Sequence, residues 1–240
     1  MLPLAWHGWG HGDMMLLIAA TAFVGTHFLM SHPLRAPLVS RLGEKGFLGL
    51  YSLVAAVTMI WMILAYRAAP VTPMLWPVGD DLWALVTVIM LIASILLLGS
   101  LVGNPALPAP DGRAMVPAEA RGVFAITRHP MMWAIALWGV AHILVYPVIA
   151  NIILSVAIII LSLVGAALQD SKKAALTPDS WPLWESRTSY WPFAAILAGR
   201  ARFGRFGLHA LAGGTVLWLV ATWAHIPLTG WPAGIWRWLG

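Results

Sequence analysis

Cysteine is absent from the chain, which excludes disulfides, zinc thiolate sites, iron–sulfur clusters and thiol nucleophiles. Charge is scarce. Only 10% of residues are charged, against roughly 25% in an ordinary soluble domain. That excludes a water-soluble globule and a disordered chain alike. Carboxylates are missing from the interiors of the apolar runs; Asp13, Asp80 and Asp81 fall at their ends. A four-ligand zinc site and a proton path through the membrane are both hard to build without them. No internal repeat and no separate soluble domain is visible. The N-terminal stretch MLPLAWHGWGHGD has no Lys or Arg, so it lacks the start of a secretory signal and the composition of a transit peptide. The chain reads as complete.

What is present is apolar: 60% of residues are hydrophobic. Six runs suit a membrane crossing, near Met14–Met30, Phe47–Tyr66, Leu82–Val102, His129–Tyr146, Val148–Leu168 and Gly207–His225. Most have about 17–21 residues, which matches a hydrocarbon core of roughly 30 Å. Pro147 separates the fourth and fifth, predicting a tight helical hairpin with the proline at the turn. The expected fold class is therefore all-α: a single polytopic membrane domain over 1–240 with about six transmembrane helices.

The net charge of +5 carries topology and no nucleic-acid footprint. With six crossings, 12 of the 14 Lys and Arg fall on one face, in 32–46, 103–128 and 169–206. The other face keeps Arg67 and Arg237. Such a bias places the basic face in the cytoplasm and both termini outside, as in a bacterial inner-membrane protein. The 15 tryptophans fit interfacial anchoring, including Trp181, Trp184 and Trp191 on the basic face.

Histidine is the residue type with chemistry to offer. His7 and His11 have the spacing of a helical metal pair, but the glycines around them argue against a helix. His209 reads as a solvated interfacial residue, and His32, before Pro33, ends the first helix. His27, His129, His142 and His225 lie within or at the ends of apolar runs. A neutral imidazole is costly to bury without a partner. Interhelical hydrogen bonding is the commoner role, yet an ionisable residue at membrane depth is also a functional candidate. Haem fits this inventory best among metal groups, because it needs only one or two imidazoles in an apolar helical cage.

Geometry limits the pairing. His129 and His142 are 13 positions apart, about 20 Å along a straight helix, so they cannot share one iron. His27 and His142 differ in depth on the order of 13 Å, a gap two imidazoles can just bridge. His27 with His129, or His142 with His225, match better in depth. Depth alone leaves all three pairs open.

Several stretches together resemble the NnrU family: THFLMSHPLR followed by LGEKGFLGLYSLVA, TRHPMMWAIALWGVAHIL, QDSKK, and TSYWPFAAILAGR. The resemblance is strongest over 23–200. The family includes a protein associated with bacterial denitrification and is similar to the plant zeta-carotene isomerase. It implies haem b held by paired histidines, matching His27 and His142 here. It also implies a redox or nitric-oxide-linked role, or cis–trans isomerisation of a poly-cis carotenoid. The partners so implied are membrane lipid and either nitric oxide or a hydrophobic polyene.

TRHPMMWA also resembles the RHP motif of isoprenylcysteine carboxyl methyltransferases, where the motif sits beside a nucleotide-type cofactor. Here Arg128 and His129 would contact an anionic group, with TSYWPF as the cover. The aromatic residue expected soon after RHP is Met132, and the paired downstream glutamates are missing, which weighs against S-adenosylmethionine. Asp170 reads either as an interfacial ion pair with its neighbouring lysines or as a partner orienting His129 or Arg128. The leading expectation is a haem-binding NnrU-type protein with His27 and His142 as ligands and Arg128 and His129 at a cytoplasmic site mouth. The alternatives are the isomerase, a methyltransferase-like enzyme, and a cofactor-free assembly factor.

Overall fold

A computed structural model describes residues 10–107 and 116–239. Among them the secondary structure is entirely helical. In order these are α1 (His11–Ser31), α2 (Arg35–Ala68), α3 (Asp80–Gly99), α4 (Val123–Ile126), α5 (Pro130–Val145), α6 (Ile149–Leu176), α7 (Trp181–Arg187), α8 (Ala194–Leu197), α9 (Leu208–Thr229) and α10 (Trp236–Leu239). Five of them, α1, α2, α3, α6 and α9, are long and apolar enough to cross a membrane, and α5 is a shorter apolar helix. The protein is an all-α polytopic membrane protein.

The boundaries follow local chemistry. α5 starts one residue later than expected because His129 precedes Pro130. The proline ring pushes that residue out of the helical region, to φ −119° and ψ 55°. α1 ends at Ser31 with His32 beyond it. At its other end His11 and Gly12 are helical despite the neighbouring glycines, while His7 lies outside the described residues. α2 runs a dozen residues further back than the apolar run, through RAPLVSRL. It bends at Gly43, whose φ of 70° is open to glycine and strained for other residues. α6 likewise extends past Leu168 into the charged QDSKK stretch. Pro147 is the turn between α5 and α6, and its carbonyl accepts the Leu75 N–H at 2.9 Å.

The five long helices and α5 pack as a row in the order α2, α1, α6, α5, α3, α9. Small residues set the closest approaches. A Cβ on Gly139 of α5 would lie 2.7 Å from Ile159 Cγ1 and 3.0 Å from the Ser155 carbonyl of α6. On Gly214 of α9 it would lie 2.6 Å from the Ile95 Cα of α3. Such contacts let backbones approach where no hydrophobic force separates helix from lipid.

Trp181 and Trp184 correct the anchoring expectation. They are 1% and 0% exposed, packed with Ala93, Leu96, Val123 and Phe124. The chain after α6 folds back against α3 and α4, and these two indole rings fill the space there. Trp191, 63% exposed, remains at the surface.

Candidate functional site

Two constellations stand out, one at each end of α5. At the basic end, Thr127 is extended (φ −154°, ψ 151°) and the TSYW segment lies alongside it. The Arg128 N–H donates to the Ser189 carbonyl at 2.8 Å, and the Phe193 N–H to the Ile126 carbonyl at 2.7 Å. Thr127 Oγ1 donates to the Tyr190 carbonyl at 2.7 Å, and Trp133 Nε1 to the same carbonyl at 3.0 Å. The 188–193 segment therefore covers the start of α5.

These contacts aim the Arg128 and His129 side chains at Asp170 of α6. Arg128 places Nε 2.8 Å and Nη2 2.6 Å from Asp170 Oδ2. His129 Nε2 meets Asp170 Oδ1 at 2.7 Å. Because the ionised carboxylate only accepts, the imidazole donates there. Glu185 of α7 lies 3.5 Å from Arg128 Nη2. The group is almost dry, with the His129 side chain 1% exposed. Tyr190 closes it from the side, its ring edge-on to His129 and its hydroxyl donating to the Leu163 carbonyl at 2.7 Å. Burial raises the Tyr190 phenol above its ordinary pKa, with the Asp170 charge adding and Arg128 opposing. Both Asp170 oxygens are committed, so the arrangement clamps the head of α5 to α6.

Asp170 thus takes the orienting role toward both Arg128 and His129. TSYWPF was expected as a cover, and Tyr190 within it is the residue that walls the group; Glu185 as a second acidic neighbour was not foreseen. Glu185 offered no sequence signal.

Away from this clamp, three histidines share one feature. His27 Nδ1 lies 2.6 Å from the Phe23 carbonyl, His142 Nδ1 2.7 Å from the Trp138 carbonyl, and His225 Nδ1 2.9 Å from the Ala221 carbonyl. A carbonyl only accepts, so each Nδ1 carries the proton and each Nε2 keeps its lone pair. An imidazole tied to a backbone carbonyl in this way is the usual state of a metal-ligating histidine.

His142 and His225 come together across α3, with ring centres 6.2 Å apart and planes inclined by 33°. Trp138 stacks on His142 at 4.0 Å. His27 sits elsewhere in the row. Its ring contacts Phe23 and, on α2, Tyr51 at 5.5 Å, and α6 packs against both its helix and α5. Asn151, 4% exposed, donates to the carbonyls of His142 and Tyr146 at 2.9 and 2.7 Å, satisfying the last turn of α5. Beside Trp138 lies an apolar cavity of about 320 Å³, lined by Met90, Ala93, Leu97, Ala134 and Ile158 among others. Among the described residues no three His, Cys, Asp or Glu side chains gather as a metal site.

No curated protein and no solved structure matches the chain. The family model described as NnrU protein matches residues 15–233. That range takes in nearly all of α1, every other spanning helix, the Arg128–Asp170–His129 clamp and the His142–His225 pair. The chain belongs to the NnrU family.

Proposed function

We propose that this protein is a haem-binding membrane protein with a redox or nitric-oxide-linked role associated with denitrification. It acts in the bacterial inner membrane with its basic face toward the cytoplasm. His142 is the central ligand. The observation that carries the reading is the His142–His225 pair. Two imidazoles sharing one metal ion, each through a bond of about 2 Å, would bring their ring centres to within roughly 6 Å of each other. The rings stand 6.2 Å apart. Bound there, haem would supply a one-electron couple, and a position for a diatomic ligand if one of the two histidines were released.

The chain's own residues fit that group. The Trp138 and Ala221 carbonyls hold the Nδ1 protons and raise the basicity of each Nε2. Trp138 covers one face of His142 and excludes water. The resemblance names His27 as the partner of His142; the ring geometry favours His225.

Absorption spectra of detergent-purified protein from haem-replete cells test this. Wild-type protein should show a Soret band that sharpens on reduction. His142→Ala should lose or shift it. His225→Ala should do the same while His27→Ala leaves it; the reverse result returns His27 as the second ligand. Colourless wild-type protein ends the reading.

A second reading, cis–trans isomerisation of a poly-cis carotenoid such as zeta-carotene, is favoured by the apolar cavity beside Trp138. Feeding such a carotene to cells making the protein tests it. Methyl transfer at the RHP segment has less support, since Arg128 and His129 are both engaged with Asp170.

A further inference from the structure

A second cavity, of about 250 Å³, opens on the basic face between the end of α3, the turn before α4 and the start of α9. Its floor is apolar, with Val123, Phe124 and Ala210. Gly99 lets these elements close up, for a Cβ there would lie 2.6 Å from Val123 Cγ1 and 3.0 Å from Ala210 Cβ.

Three features give this cavity donors with no partner, although Glu119 also lines it. Trp184 lines it and is 0% exposed, yet its indole N–H has no hydrogen-bond partner among the described residues. A buried donor left unpaired is uncommon and unfavourable. α9 begins at the cavity wall, and its N-cap Gly207 gives no side-chain cap. The positive end of a 22-residue helix is therefore presented there without a side-chain acceptor. Arg121 and Arg205 also line it. Arg121 is shared with Glu119 at 2.8 Å, whereas Arg205 forms no ion pair among the described residues.

We infer that this cavity binds an anionic phosphate group, with Arg205, the Trp184 indole N–H and the first turn of α9 as its donors. The phosphate can belong to an anionic phospholipid of the adjoining leaflet or be soluble. Leu101, Val102 and Leu208, all exposed beside the cavity, favour the lipid, whose chains would lie against them. The site is at the opposite end of α9 from His225 and does not depend on the haem reading.

The test uses the full chain in neutral detergent. Native mass spectrometry compares retention of phosphatidylglycerol with that of phosphatidylcholine, and calorimetry separately measures inorganic phosphate. Wild-type protein should retain phosphatidylglycerol selectively, and Arg205→Gln should weaken this about tenfold. Trp184→Phe, which keeps a ring and removes the N–H, should weaken it several-fold. Lipid selectivity without phosphate binding assigns a headgroup site. Phosphate binding that is sensitive to Arg205→Gln, without lipid selectivity, assigns a soluble ligand. No selective binding in either arm overturns the proposal, as does undiminished binding in Arg205→Gln. Because Arg205 is at the surface, that variant decides the matter even if Trp184→Phe fails to fold.

Discussion

Asp170 gives one carboxylate oxygen to Arg128 and the other to His129, at 2.8 and 2.7 Å, with almost no water in reach. Breaking a buried, hydrogen-bonded ion pair by removing one partner costs about 3–5 kcal/mol, because the other charge is stranded. Asp170→Asn should therefore lower stability by roughly that amount in chemical unfolding. Glu185, 3.5 Å from Arg128, would take up part of the stranded charge. The double change Arg128→Met with Asp170→Leu should cost less than Asp170→Asn alone. Wild-type stability in Asp170→Asn would remove the clamp from the account.

The Tyr190 carbonyl accepts from both Thr127 Oγ1 and Trp133 Nε1. Thr127→Val or Trp133→Phe alone should each cost about 1 kcal/mol in hydrogen bonding, since one donor remains. Together they orphan the carbonyl, so the double variant should lose more than the sum. Limited proteolysis of the 188–193 segment reads this directly, with cutting in the double variant well above either single. Additive behaviour would mean that water replaces the lost donors.

Asn151 ties α6 to the last turn of α5 through the His142 and Tyr146 carbonyls. Asn151→Ala should cost about 1–2 kcal/mol. It should also raise amide exchange in 142–148 with little change at the basic end of α5. Uniform exchange along α5 would show that the cap is redundant.

Adjacent glycines in α9 make a built-in control. A Cβ on Gly213 would meet only the Leu98 side chain, at 3.6 Å, whereas on Gly214 it would strike the Ile95 backbone at 2.6 Å. Gly213→Ala should be neutral or mildly stabilising, by up to about 1 kcal/mol. Gly214→Ala should destabilise by about 1–3 kcal/mol as α9 is forced away from α3. If haem is bound, Gly214→Ala should also lower its occupancy, because α9 carries His225. Equal melting temperatures for the two variants would contradict the packing.

The crossings, the Pro147 hairpin and the one-sided distribution of Lys and Arg were legible because bilayer thickness and proline geometry act on contiguous residues. The Asp170 partnership was legible as one of two readings, since a lone carboxylate at the end of an apolar run has few partners to choose from. Burial of Trp181 and Trp184 was not, because tryptophan composition is the same for an interfacial ring and a ring folded against the helices. The extension of α2 through Gly43 was hidden as well: charged residues ended the apolar run while the backbone continued. Among the histidines, depth narrowed the pairs to three. Bringing His142 beside His225 depends on α3 placing α5 and α9 together, and lateral order within a row of helices leaves no periodicity to read.

The bonds from the His142 and His225 Nδ1 atoms to carbonyls one turn back in their own helices have a mechanical side. Each ring turns with its helix as a spoke turns with a wheel. A slip of α9 by a single residue rotates it by about 100°, which would swing His225 out of line with His142. Parting these rings is thus a roll of a whole rod against α3, and a side-chain flip would first have to break a tether.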